Sequence, residues 1–240
     1  MANETSSTPS TPKFSFTPGV IRRFVQIAGM VLLQAILLFV SAGRINWIAA
    51  WFYIGLYLVF LAINTFLLAP QGTALIEERG RMLPPKKWDR VFSAVYGVSG
   101  LTLLVVAGLD NRLAWSPPLG WRIQLVALAL MAAGMSLFSW GMATNAYFSA
   151  VVRVQEERGH HVISSGPYRF VRHPGYSGII LFSLVTPVLF ESLWAYIPAI
   201  ILCGSIIART WLEDRTLQAE LEGYKEYTRR VRFRLIPGIW

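Results

Sequence analysis

The chain has 240 residues, 54% of them hydrophobic and only 15% charged, with a mean hydropathy of +0.47. That balance excludes an ordinary soluble domain, where about a quarter of residues carry charge, and several windows of about twenty residues are almost free of charge, as transmembrane helices are. A net charge of +9 would point to nucleic acid in a soluble protein; in a membrane protein it follows from basic cytoplasmic loops and anionic headgroups.

Residues 1–18, rich in Ser, Thr and Pro, read as a disordered tail ahead of a membrane domain over 19–240. The first apolar run, residues 24–42, follows Arg22 and Arg23. It is longer than a signal-peptide core and reads as a retained helix. A turn over 43–46 leads to a second helix over 47–69, with Trp47 and Trp51 at headgroup depth. Residues 70–90 are charge-dense around Pro84-Pro85 and read as an aqueous loop. A third helix is expected over 91–109, a loop over 110–120 and a fourth helix over 121–144. After a polar stretch, 145–176, come two shorter apolar runs, 176–190 and 193–211. Glu191-Ser192 is their only joint, which predicts an antiparallel helical hairpin with Pro187 and Pro198 kinking its arms. The tail, 212–240, starts as a helix and turns basic at Arg229–Arg234. Cys203, the one cysteine, lies in an apolar run and reads as packing.

The expected fold is therefore all-α: a polytopic membrane protein of about six segments, the last two a hairpin, plus a cytoplasmic C-terminal helix. Nineteen Lys and Arg fall on one set of connections and only Arg44, Arg112 and Arg122 on the other. The positive-inside bias then puts both termini, the polar stretch and the tail on the cytoplasmic side of an inner or plasma membrane.

Two clusters carry chemistry. The first is the ribbon Gly166–Gly178, with Tyr168, Arg172, His173, Pro174 and Tyr176. Pro174 suits the first position of a helix, whose free N–H groups would make an anion site beside Arg172 and His173. An interfacial anchor, with arginines on lipid phosphates, explains the same residues. The second is Arg209, Glu213, Asp214 and Arg215. Arg209 and Glu213, four apart, share a helical face; they make either a structural ion pair or a carboxylate available to a ribose or an ammonium group. Three histidines with no cysteine nearby make a poor zinc set, so no metal is expected. No glycine-rich loop follows a strand, so a nucleotide-like cofactor would be held in another way.

The pattern His160-x5-Gly166-Pro167-Tyr168, then Arg172-His173-Pro174-x-Tyr176-x-Gly178, resembles the isoprenylcysteine carboxyl methyltransferase family. So does Arg209-x3-Glu213-Asp214-x2-Leu217, followed by Tyr224-x2-Tyr227 and Ile236-Pro237. The phospholipid N-methyltransferases share the Arg-His-Pro-x-Tyr core. The resemblance covers about 145–240 and implies that this part binds S-adenosylmethionine and carries catalysis. It implies cofactor contacts at His160, Gly166, Tyr168, Arg172, His173, Pro174, Tyr176 and Glu213, with Arg172, Arg209 and Glu213 acting at the reaction. The acceptor would be lipophilic and enter from the bilayer: an isoprenoid-like carboxylate or thiol, or a lipid amine. Where the family has two glutamates this chain has Glu213-Asp214, so which of the two faces the acceptor stays open. Two other readings stand beside this one: an NADPH-dependent membrane reductase of sterol-like or isoprenoid substrates, and a non-catalytic membrane protein whose basic tail binds lipid or a partner.

Overall fold

A computed structural model describes residues 17–68, 86–149 and 151–240; the expected tail over 1–16 and most of the expected aqueous loop lie outside them. The described elements are seven α-helices and two short 3-10 turns. α1 runs Pro18–Ala42, α2 Ile48–Leu68, α3 Lys87–Leu113, α4 Trp121–Thr144, α5 Pro174–Leu189, α6 Tyr196–Glu220 and α7 Tyr224–Arg230. The 3-10 turns are Glu156–Arg158 and Gly166–Arg169.

α1 starts earlier than hydropathy alone predicts because its cap is polar. Thr17 Oγ1 accepts the Val20 N–H at 3.3 Å and a proline occupies the first turn. Arg22 and Arg23 consequently lie inside the helix. Gly43, at φ 67°, ends it in the left-handed conformation that glycine adopts without strain.

Five helices, α1 to α4 and α6, are long and apolar enough to cross a membrane. The sixth expected segment, α5, has 16 residues. At about 1.5 Å per residue it spans roughly 24 Å, less than a hydrocarbon core. Its start is set by Pro174 and by the ribbon, which the tail holds through backbone hydrogen bonds. α5 and α6 do form an antiparallel hairpin, with Tyr176 against Arg209 and Glu213 at its open end. The joint is longer than two residues: α5 stops at Leu189 and α6 begins at Tyr196. Pro198 falls in the first turn of α6, where a missing N–H costs little, and Pro187 in the last turn of α5.

The helices approach closely where side chains vanish. A Cβ on Gly134 of α4 would come within 2.7 Å of the Gly178 carbonyl oxygen of α5, and one on Gly178 would run into the Gly134 carbonyl. Small residues at a crossing let packing drive association in lipid, where helices gain nothing by leaving water. Gly108 of α3 meets Ser41 of α1 in the same way.

At the end of the bundle away from the polar stretch, Asp110 accepts the Ser116 N–H and hydroxyl at 2.8 and 2.7 Å and the Ser192 hydroxyl at 2.6 Å. Glu191 accepts the N–H groups of Leu119 and Gly120. These bonds tie the α3–α4 connection to the α5–α6 joint. The core above them is apolar and aromatic, with Trp47, just before α2, and Tyr53 of α2 against Phe190. The outward faces of α1 and α2 stay apolar and exposed, as a lipid-facing surface does.

Candidate active site

The polar end is built by long-range pairing. Arg172 and His173 give their backbone N–H groups to the carbonyls of Phe233 and Arg234 at 3.0 and 2.9 Å, so the tail lies along the ribbon. Ser177 Oγ adds a bond to the Leu235 carbonyl at 2.6 Å, and Tyr227 Oη one to the Tyr168 carbonyl at 2.7 Å. Pro174 takes the first position of α5, as its sequence context predicts. The N–H groups of Tyr176 and Ser177 turn back to the His173 carbonyl at 3.0 and 3.2 Å. The helix start therefore offers fewer free donors than an anion nest would.

Beneath this lies Asp214, completely buried in α6. Arg172 grips it with a two-pronged contact, Nε to Oδ1 and Nη2 to Oδ2, both 2.8 Å. Arg172 Nη1 bonds the carbonyls of Val231 and Arg232, so all three guanidinium nitrogens are engaged. Arg234 Nε, Gln218 Nε2 and Tyr224 Oη also donate to Asp214, at 3.0, 3.0 and 3.1 Å. Burial, and then the Asp214 charge, push the Tyr224 phenol well above its ordinary value and keep its proton in place to donate. A buried carboxylate is stable only with such saturation.

Glu213, the next residue, has a different environment. Its side chain is 20% exposed and Oε2 accepts the Tyr176 hydroxyl at 2.6 Å. Arg209 Nε donates to the same hydroxyl at 2.8 Å and lies 3.7 Å from Glu213 Oε2, one turn along the helix. Arg209 Nη1 pairs with Asp89 of α3 at 2.8 Å, and its guanidinium stacks over Phe92 at 4.4 Å. Asp89 sits in the first turn of α3 and also accepts the Val152 N–H at 3.3 Å. The sequence reading left Asp89 in an aqueous loop; its place in a helix follows from the earlier start of α3. His173 closes the group, with Nδ1 3.9 Å from Glu213 and Nε2 3.4 Å from Asp214. Its ring lies parallel to Tyr176 with centroids 5.7 Å apart.

The loop between α4 and the ribbon contributes His160. Its ring stacks on Tyr147 at 4.2 Å, and Nδ1 accepts the Gln155 N–H at 3.2 Å. Partial burial, helped by the charges of His161, Arg158 and Arg153, lowers its pKa from 6.5 to about 4. His160 is neutral at physiological pH, as an acceptor nitrogen must be.

These groups surround a cavity of about 570 Å³, within the usual range for small-molecule sites. Of the residues expected at the cofactor or the reaction, Gly166 and Pro174 alone do not line it. Gly166, at φ 56°, turns the ribbon against Thr144, and Pro174 packs against Gly141. The cavity continues past Phe92 and Tyr96 to Arg23 on α1 and to Tyr57 and Asn64 on α2, which sequence reasoning did not connect with the site. There it shares Phe24, Ile27, Leu61 and Thr65 with an apolar groove between α1 and α2.

Residues 125–219 match the model of the "Isoprenylcysteine carboxyl methyltransferase (ICMT) family". The family segment covers most of α4, the ribbon, α5 and nearly all of α6, and therefore both Arg172 and the Glu213-Asp214 pair. Two rice proteins, from Oryza sativa subsp. indica and subsp. japonica, are each named "Probable protein-S-isoprenylcysteine O-methyltransferase". Each is 33% identical to this chain over 70 residues, 29% of this chain and 37% of the relative. The match thus spans little more than a third of those relatives' length. Asp89, Arg23, Tyr57 and Asn64 lie outside the matched residues.

Proposed function

We propose that the protein is an integral-membrane methyltransferase that uses S-adenosylmethionine to methylate a lipophilic acceptor. One observation carries the reading: a single cavity joins a polar end, where Glu213, His173 and His160 face inward, to an apolar end open toward lipid between α1 and α2. The donor set fits the cofactor. Glu213 is the carboxylate left facing the cavity, beside a parallel His173–Tyr176 ring pair, and is suited to an ammonium or ribose group. His160, Tyr168 and the ribbon residues Arg172 and His173 form the wall on the loop side.

When bound, the cofactor supplies an electrophilic methyl group on a sulfonium. The chain's own residues orient and exclude water. Arg209 fixes the Tyr176 hydroxyl and Glu213 together, so the polar end is pre-organised. Arg172 holds the wall by locking Asp214 and the tail. A carboxylate or thiolate acceptor needs no proton transfer, and rate then comes from alignment in a dry site. An amine acceptor would give its proton to Glu213. In this reading both termini and the polar end are cytoplasmic, and 145–240 is the cofactor-binding and catalytic part of the membrane domain.

Isothermal titration tests the site. Purified protein is expected to bind S-adenosylmethionine or S-adenosylhomocysteine, and His173→Ala and Glu213→Ala to weaken binding at least about tenfold. Unchanged affinity in both folded variants sinks the assignment. Stabilisation by NADPH instead of S-adenosylmethionine in a thermal-shift assay would favour a reductase.

A further inference from the structure

Residues 227–240 contain four arginines and no Asp or Glu. Arg234 turns inward, with Nε on Asp214 at 3.0 Å and its guanidinium over the Trp240 ring at 4.8 Å. Arg229, Arg230 and Arg232 are exposed, as is Arg169 on the ribbon, and none of these four is in an ion pair among the described residues. The Tyr227 bond to the Tyr168 carbonyl brings α7 beside the turn that carries Arg169. Like charges gathered without a counter-charge repel one another, and an external anion relieves that cost.

Apolar side chains border the same surface. Phe170 follows Arg169, and Ile236 and Ile239 stand on a closed turn in which the Trp240 carbonyl accepts the N–H groups of Arg234 and Leu235 at 2.7 and 3.0 Å. Phe170, Ile236 and Ile239 are all exposed. Leu235 is fixed to the first turn of the apolar helix α5 through Ser177, so this turn lies where the apolar bundle meets its polar end. Arginines beside exposed isoleucine and phenylalanine fit lipid headgroups and the first carbons of the chains together. A soluble polyanion offers nothing to the apolar part.

We propose that this outer face of the tail docks on anionic phospholipid headgroups, and that the docking seats the Arg172–Asp214 lock. The coupling is built into the backbone, and Arg232 shows it most directly. Its side chain is exposed, while its carbonyl accepts Arg172 Nη1 at 2.8 Å. Val231 gives its carbonyl to the same nitrogen, and Phe233 and Arg234 give theirs to the Arg172 and His173 N–H groups. Tyr224 and Tyr227 of α7 line the cavity, so a tail held by lipid also holds the cavity wall. Membrane charge thereby sets how completely the polar end is formed. The docking requires neither methyl donor nor acceptor.

The test places the full chain in nanodiscs of phosphatidylcholine, alone or mixed with phosphatidylglycerol, and follows amide hydrogen exchange by mass spectrometry with no cofactor added. Exchange over residues 172–173 and 231–235 is expected to slow about tenfold or more in the anionic discs, and the slowing to fade at high salt. Replacing the outer arginines together (Arg229→Gln, Arg230→Gln and Arg232→Gln) should abolish the difference between discs, and Ile239→Ser should reduce it. Equal exchange in the two discs overturns the proposal, as does a difference that the triple variant keeps. Slowing spread equally over α3 is general stabilisation by the lipid and overturns it too. If double-stranded DNA added to phosphatidylcholine discs slows exchange as much as phosphatidylglycerol does, the surface reads charge alone and the lipid assignment fails. Should the triple variant not fold, the wild-type comparison, its salt dependence and Ile239→Ser decide the matter.

Discussion

Glu213 and Asp214 are adjacent in sequence and differ by one methylene, yet they lie in opposite environments. Successive residues on an α-helix point about 100° apart. That turn puts Asp214 into a sealed network of two arginines, a glutamine and a tyrosine, and leaves Glu213 on the cavity wall with one short hydrogen bond. Saturation makes a carboxylate structural, and a free lone pair facing a cavity makes it available to a ligand.

The largest effect expected from breaking this contrast is at Asp214. Asp214→Ala leaves Arg172 buried and uncompensated, and loss of one partner of such a pair costs about 3–5 kcal/mol. A thermal melt should show a large drop or no cooperative unfolding. A melt close to wild type would mean that the tail does not depend on this lock. Glu213→Gln sharpens the other side. The amide oxygen keeps the Tyr176 bond, so stability should change by less than about 1 kcal/mol, while affinity for S-adenosylmethionine falls about tenfold or more. Equal losses of stability at Glu213 and Asp214 would erase the distinction.

Much of this was legible in the sequence. Charge-free windows gave the spans, and the Lys and Arg distribution placed the ribbon and the acidic helix at the same end. The one-turn spacing of Arg209 and Glu213 predicted a contact that the helix makes. Long-range pairing was hidden. Asp89 and Arg209 are far apart in the chain, and no local pattern marks Asp89 as anything but one more charge in a polar run. The seating of residues 231–235 on the ribbon is backbone hydrogen bonding, which leaves no side-chain signature. Arg23 read as a flanking charge because hydropathy places the helix start later than the Thr17 cap does.

The smallest effect concerns His160, whose folded-state pKa of about 4 lies below its ordinary 6.5. As pH falls through that window the unfolded chain takes up a proton that the folded chain does not, so stability declines toward acid. With the ring only half-buried, the loss at pH 5 should be under about 1 kcal/mol. Melts at pH 7 and pH 5 should differ more for wild type than for His160→Gln, and an equal difference would remove His160 as the cause.

The tail also has a consequence for how the molecule is made. Membrane helices are delivered to the bilayer in order of synthesis, so Arg172 arrives long before the carbonyls of 231–235 exist to receive it. Through that interval its charge, and from α6 onward that of Asp214, depends on water at the membrane surface. The site therefore matures only after residues 231–235 have been made. A chain that stops short of those residues has the described long apolar helices in place and lacks the carbonyls that seat Arg172.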